Sequence, residues 1–555
     1  MRKRIAAFLA LALLLSLCAC GANNSNTTTD VGANTSANTP ANTPANTSAN
    51  SGSDDAASSS EPRIIKVGES MSSINNLDVW ITTYPNIYEL SDLIFDRLLE
   101  KDPETLEVYP SLLTKMPEVS EDGLVYTFEL KEGVKFHDGS DLTTEDVRYT
   151  FEYFLDSEKG SYNAWVLDMV QGMAEKYYHG AETLTGLNII DDYHFSITLS
   201  YPFSAFADVL AGSYLPILPS DAHAANIDQW GISVAIGTGP MMLESFEPGV
   251  ELKLVTNENY HGNVLAFDGL TITNMDGDTA LLEWEAGNID VCDLSSDMVE
   301  YYRESYPDNL QEVSFVGGEW LSFNMSTEPL DDIAVRQALC YATDRSKIVS
   351  GYFNDNVTTA MAIIPIGIPG HDENTVDYSF DLEKAKQTLI DAGYTDGITL
   401  SCGVIEGSGA QQVFQILQQD WLEAGITLEI ELIDSATWTE QRSTGNCAIY
   451  LLNWYADYID ADMFLNGVYN SAMSTFLSTG FSDSWFDEQL MIGRSLSAED
   501  KAEFYAKLDH YLCSEVYAAC PIFYSMGFTL VSDRVEGIIY KGDYTHSYIN
   551  AAIVG

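Results

Sequence analysis

The chain has 555 residues, several times the roughly 100 to 200 of a single domain, so more than one hydrophobic core is expected. Hydrophobic residues make up 46% and charged residues 20%, ordinary values for a soluble folded protein. Against 83 Asp and Glu stand 26 Lys and Arg, a formal charge of -57; such a surface repels phosphate backbones and excludes nucleic acid as a partner.

At the start, Arg2, Lys3 and Arg4 precede an apolar run over 5–17, long enough for an export signal but short of the roughly 20 residues that span a membrane. The run ends Leu17-Cys18-Ala19-Cys20-Gly21, which resembles the bacterial lipobox. A signal peptide over 1–19 and lipidation at Cys20 follow, with Cys18 as the other acceptor. Residues 20–62 hold the repeat "ANTSANTPANTPANTSAN" and almost nothing apolar, so a disordered tether is expected. About forty residues of it would reach roughly 35 Å. The folded part is expected from about Arg63, and no later segment has the pattern of a membrane span.

Strands and helices then alternate. "VYTFELKEGVKF" puts Tyr126, Phe128 and Leu130 on one face and Thr127, Glu129 and Lys131 on the other, the period of a half-buried strand. Thr143 or Thr144 offers an N-cap for a helix whose apolar stripe is Val147, Phe151, Phe154 and Leu155. Further strands are expected at 195–199 and 250–255. "GTGP" at 237–240 reads as a turn into the next strand, and His137 as a structural hydrogen-bonding residue. In the second half a helix over 382–392 has Asp381 as N-cap and Gly393 as its stop. Strand 398–404, helix 411–424 and strand 427–433 form a βαβ unit. Strand 448–455 and a helix over 497–512 complete the pattern of a mixed α/β protein with two lobes.

Motifs for chemistry are missing. There is no GxSxG elbow, HExxH motif or Walker loop, so nothing supports an enzyme, and no cofactor is expected. Six cysteines remain beyond the signal, Cys292, Cys340, Cys402, Cys447, Cys513 and Cys520; their scatter argues against a metal site and leaves buried thiols or occasional disulfides open. "IEGSGAQQ" at 405–412 is a glycine-bearing loop into a helix, most simply a connection. Asp457, Asp460 and Asp462 follow strand 448–455 in the spacing Asp-x-x-Asp-x-Asp. They suit calcium oxygen chemistry, but without the glycine and distal Glu of a calcium loop; a polar turn is the plain alternative.

The segment "YPSLLTKMPEVSEDGLVYTFELKEGVKFHDGSDLTTEDVRYTFEYF" at 109–154 resembles the stretch that marks the family 5 extracellular solute-binding proteins, the oligopeptide and dipeptide receptors of ABC importers. "GTGP", "NENYHGN" at 257–263, "FNMSTEPLDDIAVRQALCYATDRSKI" at 323–348 and "FDLEKAKQTLIDAGY" at 380–394 follow in the family's order. The resemblance implies a bilobed fold of the periplasmic-binding-protein type (type II, cluster C), with a hinge and a ligand cleft between lobes. Lobe I is expected at 63–275 plus 524–555 and lobe II at 276–523, with crossovers near Met275 and Phe523.

By the same resemblance, "NWYADYIDADMFL" at 453–465 looks like the segment in which a tryptophan is followed three residues later by an aspartate that binds a peptide's α-ammonium group. Trp454 and Asp457 take those places, and a carboxylate there is physically apt because an ammonium closed into a dry cleft needs a charged acceptor. Trp454 and Tyr455 offer apolar wall; strand alternation allows only one of the two to face ligand. Arg442 is the first candidate for the ligand carboxylate and Arg336 the second; Ser70, in the loop after the first strand, and Trp320 are further wall candidates. The implied protein is a monomeric, non-enzymatic, lipid-anchored receptor on the outer face of the cell membrane that delivers short peptides to an ABC permease. A receptor for a nickel complex or an oligosaccharide, an adhesion or signalling lipoprotein of the same fold, and a secreted hydrolase are the alternatives.

Overall fold

The computed structural model describes residues 61–554 apart from 73, 82–84, 160 and 162. The expected signal peptide, Cys20 and nearly all of the tether lie outside the described residues. Among the described residues, no helix is long and apolar enough to cross a membrane.

Two sheets organise the chain. The first has seven strands in the order Leu310–Ser314, Met526–Val531, Val291–Asp293, Ile64–Glu69, Gly269–Asn274, Glu251–Thr256 and Met241–Glu247. Ile64–Glu69 sits at its centre because Ile65 and Val67 alternate into the core, and it runs parallel to both neighbours. The second sheet orders Thr358–Thr359, Ala519–Tyr524, Gly317–Phe323 and Ile449–Tyr455. Its strands Ala519–Tyr524 and Gly317–Phe323 are almost wholly buried, as expected of strands covered on both faces.

The chain passes between the sheets at Phe315–Val316 and at Ser525. The second passage lies two residues beyond Phe523. Past Met275, strands Val291–Asp293 and Leu310–Ser314 still pair in the first sheet, both against Met526–Val531. Two short strands returning to a sheet already formed, one inside it and one at its edge, carry no periodicity that sets them apart from the start of a new lobe.

The sequence patterns reappear as local structure. Tyr126 and Phe128 are buried on strand Val125–Glu129, and Phe128 stacks on Phe195 of strand His194–Thr198 with ring centroids 4.7 Å apart. Thr143 caps helix Thr144–Phe154 in a capping box closed by Asp146. Helix Leu382–Asp391 is capped by Asp381, and Gly393 follows at φ 98°. Strands Ile398–Ile405 and Ile426–Ile433 are parallel, and helix Gly409–Glu423, capped by Ser408, buries Val413, Phe414, Leu417 and Trp421. Each such side chain contributes about 1.5 to 3 kcal/mol. The "IEGSGAQQ" loop is thus a capped connection. The six described cysteines are free, buried thiols.

Gly237 and Gly239 press the "GTGP" turn against the backbone at Ile94. A Cβ on Gly237 would lie 2.0 Å from the Ile94 carbonyl oxygen. His137 locks the same turn: its amide donates to Gly237 O (2.8 Å), its Nδ1 accepts from Gly237 N (3.2 Å), and Nε2 lies 3.0 Å from Gly239 O. Because Nδ1 accepts, Nε2 carries the proton, and burial holds the ring below its usual pKa. Gly237→Ala is expected to lower stability by about 1 to 3 kcal/mol through overpacking, read as a lower midpoint in thermal melts; an unchanged midpoint would mean the turn yields freely.

Candidate functional site

At the carboxyl ends of the central parallel strands, the place where open α/β sheets hold their ligands, lies a cavity of about 380 Å³. Glu69 and Ser70 enter it from the first strand, Glu89 from helix Pro85–Ile94, Asp293 from its own strand, and Tyr544 and His546 from the C-terminal segment. His546 is clamped, with Nδ1 3.0 Å from Glu89 Oε2 and Nε2 3.3 Å from Asp293 Oδ1. Burial opposes the charged ring, but the two carboxylates outweigh it and hold His546 well above the usual imidazole range. Burial, then the charges of Glu89 and Asp293, push the Glu69 carboxyl well up. Ser70 is exposed, and its Oγ donates to Ser72 Oγ at 3.1 Å.

Tyr544 links the cavity to the second sheet. Tyr455 meets its ring edge-on at 4.7 Å and donates its hydroxyl to Ser525 Oγ at 3.2 Å, at the second passage between sheets. Gly317, paired with Tyr455 across the sheet, makes room: a Cβ there would meet the Tyr455 ring at 2.1 Å. Trp454 points the other way, its Nε1 donating to Met463 O at 3.1 Å on helix Ala461–Tyr469. Alternation thus puts Tyr455, and not Trp454, on the side of Tyr544.

Beyond the strand, the three aspartates part company. Asp460 caps helix Ala461–Tyr469 and pairs with Lys501. Asp462 is fully buried and accepts from Arg494 Nε at 2.9 Å and from the hydroxyls of Tyr458 and Tyr505, each at 3.1 Å. Both are therefore taken by cations of the fold and do not converge as a calcium loop. Asp457 is half-buried and makes no hydrogen bond or ion pair with any described residue. Burial raises its carboxyl to about 6, and the charge of Lys101 pulls it the other way. Burial and, after it, the Asp457 charge push up the phenols of Tyr88 and Tyr214. Asp457, at the tip of the second sheet, therefore looks onto residues packed around the first.

The same face is closed by a second contact. Arg494, at the end of helix Ser484–Arg494, reaches from Asp462 to Asp168, with Nη1 to Oδ2 at 3.0 Å, and also donates to the Tyr201 hydroxyl. Its guanidinium lies over the rings of Tyr201 and Phe203 at 5.5 and 5.2 Å, and Phe203 meets Tyr458 edge-on at 5.9 Å.

The remaining candidates lie elsewhere. Arg442, on helix Ser435–Ser443, stacks over Trp438 and Phe476 at 5.1 and 5.8 Å. It precedes the start of strand Ile449–Tyr455 whereas Asp457 follows its end, a separation of roughly 20 Å at 3.3 Å per residue. Arg336 is 3% exposed and donates to the carbonyls of Leu330, Asp331, Val516 and Tyr517, so it ties the core rather than a ligand. Trp320 is 1% exposed, its Nε1 donating to the Tyr469 hydroxyl at 2.9 Å, and belongs to the core as well. Sequence reasoning passed over Arg494 and Tyr544; in a chain so poor in cations, an inventory of every Lys and Arg was the one signal pointing to the first.

Residues 107–476 match the model of the bacterial extracellular solute-binding proteins, family 5. The chain is 25% identical over 492 residues to the dipeptide-binding protein of Escherichia coli, covering 84% of this chain and 90% of the relative. It is 26% identical over 470 residues to heme-binding protein A of Haemophilus influenzae, covering 81% and 85%. Among solved structures, HbpA2 from Haemophilus parasuis superposes with a TM-score of 0.77 at 23% identity, covering 89% of this chain and all of that one.

Proposed function

The chain belongs to the bacterial extracellular solute-binding proteins of family 5, and on that premise we propose that it captures short peptides between its lobes and hands them to an ABC permease. Its fold is the bilobed α/β fold of type II periplasmic binding proteins. We take lobe I as 63–314 with 526–554 and lobe II as 317–524, following the two passages between sheets.

The observation that carries the reading is Asp457, a half-buried carboxylate without a partner among the described residues, held at the tip of one sheet and facing the other lobe. An ammonium is the group that satisfies it: a charge-assisted hydrogen bond removes the cost of leaving both charges desolvated. Tyr455 and Tyr544 supply apolar wall beside it. The protein acts as a receptor and not an enzyme, since capture requires only closure and release.

Mass spectrometry of ligands set free by denaturing the purified protein tests this. Peptides of a few residues are expected; a haem, a nickel complex or an oligosaccharide in their place would overturn it. Haem is the second reading, supported by the similarity to heme-binding protein A, and it would also show as visible absorbance of the purified protein.

Anchoring through Cys20 on the outer face of the membrane belongs to the same proposal. Two acyl chains on one cysteine hold a protein stably where one does not. Cys20→Ala is expected to move the protein from the membrane fraction to the medium, as read by blotting both fractions; retention of the variant in the membrane would refute the anchor.

A further inference from the structure

A short turn of lobe I, Tyr201 to Ser204, lies against lobe II. Its own lobe fixes it from behind. The Tyr201 hydroxyl donates to Asp168 Oδ1 at 2.8 Å, and Phe203 O accepts from the Tyr126 hydroxyl at 3.3 Å and from Phe206 N at 3.2 Å. The turn is therefore held rigidly, and it carries Phe203 into a socket built by the other lobe. There the Arg494 guanidinium lies 5.2 Å and the Lys501 ammonium 5.5 Å from the centre of the Phe203 ring, and the Tyr458 ring meets it edge-on at 5.9 Å. Ser204 N donates to Arg494 O at 3.3 Å. Docked in this way, Phe203 is 1% exposed.

Two of the three clustered aspartates hold the socket in shape. Asp462 binds Arg494 and the Tyr458 hydroxyl, and Asp460 binds Lys501, so both cations are kept over the ring. The third, Asp457, immediately precedes Tyr458 in the chain. One turn of lobe II thus carries the carboxylate offered to ligand and the ring that receives Phe203. We propose that Phe203 is a positioning residue for capture: by docking against Tyr458 it latches the lobes together and sets the Asp457 turn in place without touching ligand, and it does so whether or not ligand is bound. The inference rests on capture between the lobes and not on the ligand being a peptide. Opening would return a large apolar ring to water and take it from two cations, which favours the docked form by about ten- to a hundredfold. Ligand leaves through the open form, so release slows by the same factor.

Two measurements on the full folded protein test the latch. In the first, nitroxides on Glu182→Cys in lobe I and Glu488→Cys in lobe II, both exposed positions, report the distance between lobes in protein stripped of ligand by refolding from denaturant. Wild type is expected to show a short-distance population that Phe203→Ala loses and Phe203→Leu, which keeps an apolar plug, largely retains. In the second, stopped-flow fluorescence follows release of free-ended peptides of two to five residues that bind wild type. Release is expected to be about ten- to a hundredfold faster from Phe203→Ala. Asp168→Asn loosens the same contact through a partly exposed side chain and covers the case in which Phe203→Ala fails to fold; it should speed release about two- to fivefold. A packing defect alone would lower the urea midpoint and move neither distance nor release rate. Identical distance distributions in wild type and Phe203→Ala, or unchanged release rates in both variants, would overturn the latch and leave Phe203 as an ordinary core residue. If no peptide binds wild type, the peptide reading falls and the distance measurement still decides the latch.

Discussion

Asp457→Asn is expected to weaken binding of a peptide with a free amino terminus by about ten-fold to somewhat over a hundred-fold, the 1.5 to 3 kcal/mol of a hydrogen bond to a charged group. The substitution keeps the shape of the side chain and removes its charge, so the ligand's ammonium meets only a neutral amide oxygen. An N-acetylated peptide should bind wild type poorly and lose little more in the variant, since the interaction has already been removed from the ligand side of the cycle. The pH dependence has a definite sign. Burial lifts the Asp457 carboxyl to about 6, and only the ionised form attracts a cation, so a proton competes with the ligand. Affinity should be level above pH 7 and fall below pH 6, approaching a factor of ten per pH unit; in Asp457→Asn that fall should vanish. Calorimetry with the four combinations of protein and peptide, repeated across pH 5 to 8, measures both effects. Equal losses on acetylation in the two proteins would reduce Asp457 to the polar end of a strand.

The largest expected effect on stability belongs to Arg494. Its guanidinium is almost wholly buried, and so is the Asp462 carboxylate against it. Burial raises the Asp462 carboxyl, and Arg494 pulls it back down. Arg494→Met keeps much of the volume but strands that carboxylate with only the Tyr458 and Tyr505 hydroxyls for company. Breaking a buried pair on one side costs about 3 to 5 kcal/mol, to be read from urea unfolding midpoints. Arg494→Met combined with Asp462→Leu should recover part of this, because no charge is then left uncompensated, although the two hydroxyls lose their acceptor. Asp168 is different. Its side chain is 45% exposed, so Asp168→Asn should change stability by about 1 kcal/mol or less. A loss below about 1 kcal/mol in Arg494→Met would mean that water or a rearranged neighbour replaces the guanidinium.

What the linear chain determines here is local. Period-two alternation placed strand Val125–Glu129, a Thr143 cap with its stripe of Val147, Phe151 and Phe154 placed the helix after it, and the strand, helix and strand from Ile398 to Ile433 form the parallel unit expected. These features depend on neighbours within about ten residues, where backbone sterics and the burial of one face are sufficient. The family's motifs add the bilobed fold, because their order carries the topology that periodicity lacks.

Only the tertiary structure decided which charges are spare. Asp457, Asp460 and Asp462 are alike in sequence, yet two are neutralised by Lys501 and Arg494, cations some 30 to 40 positions away in the chain, while the third has none. Arg336 and Trp320 sit at ordinary positions of a helix and a strand, and nothing local distinguishes a face turned to the core from one turned to a cleft. The pairing of Val291–Asp293 and Leu310–Ser314 with Met526–Val531 likewise joins residues more than two hundred positions apart. Pairing at that distance is set by shape and burial across the whole fold, and strands this short contribute too few residues for a pattern to announce it.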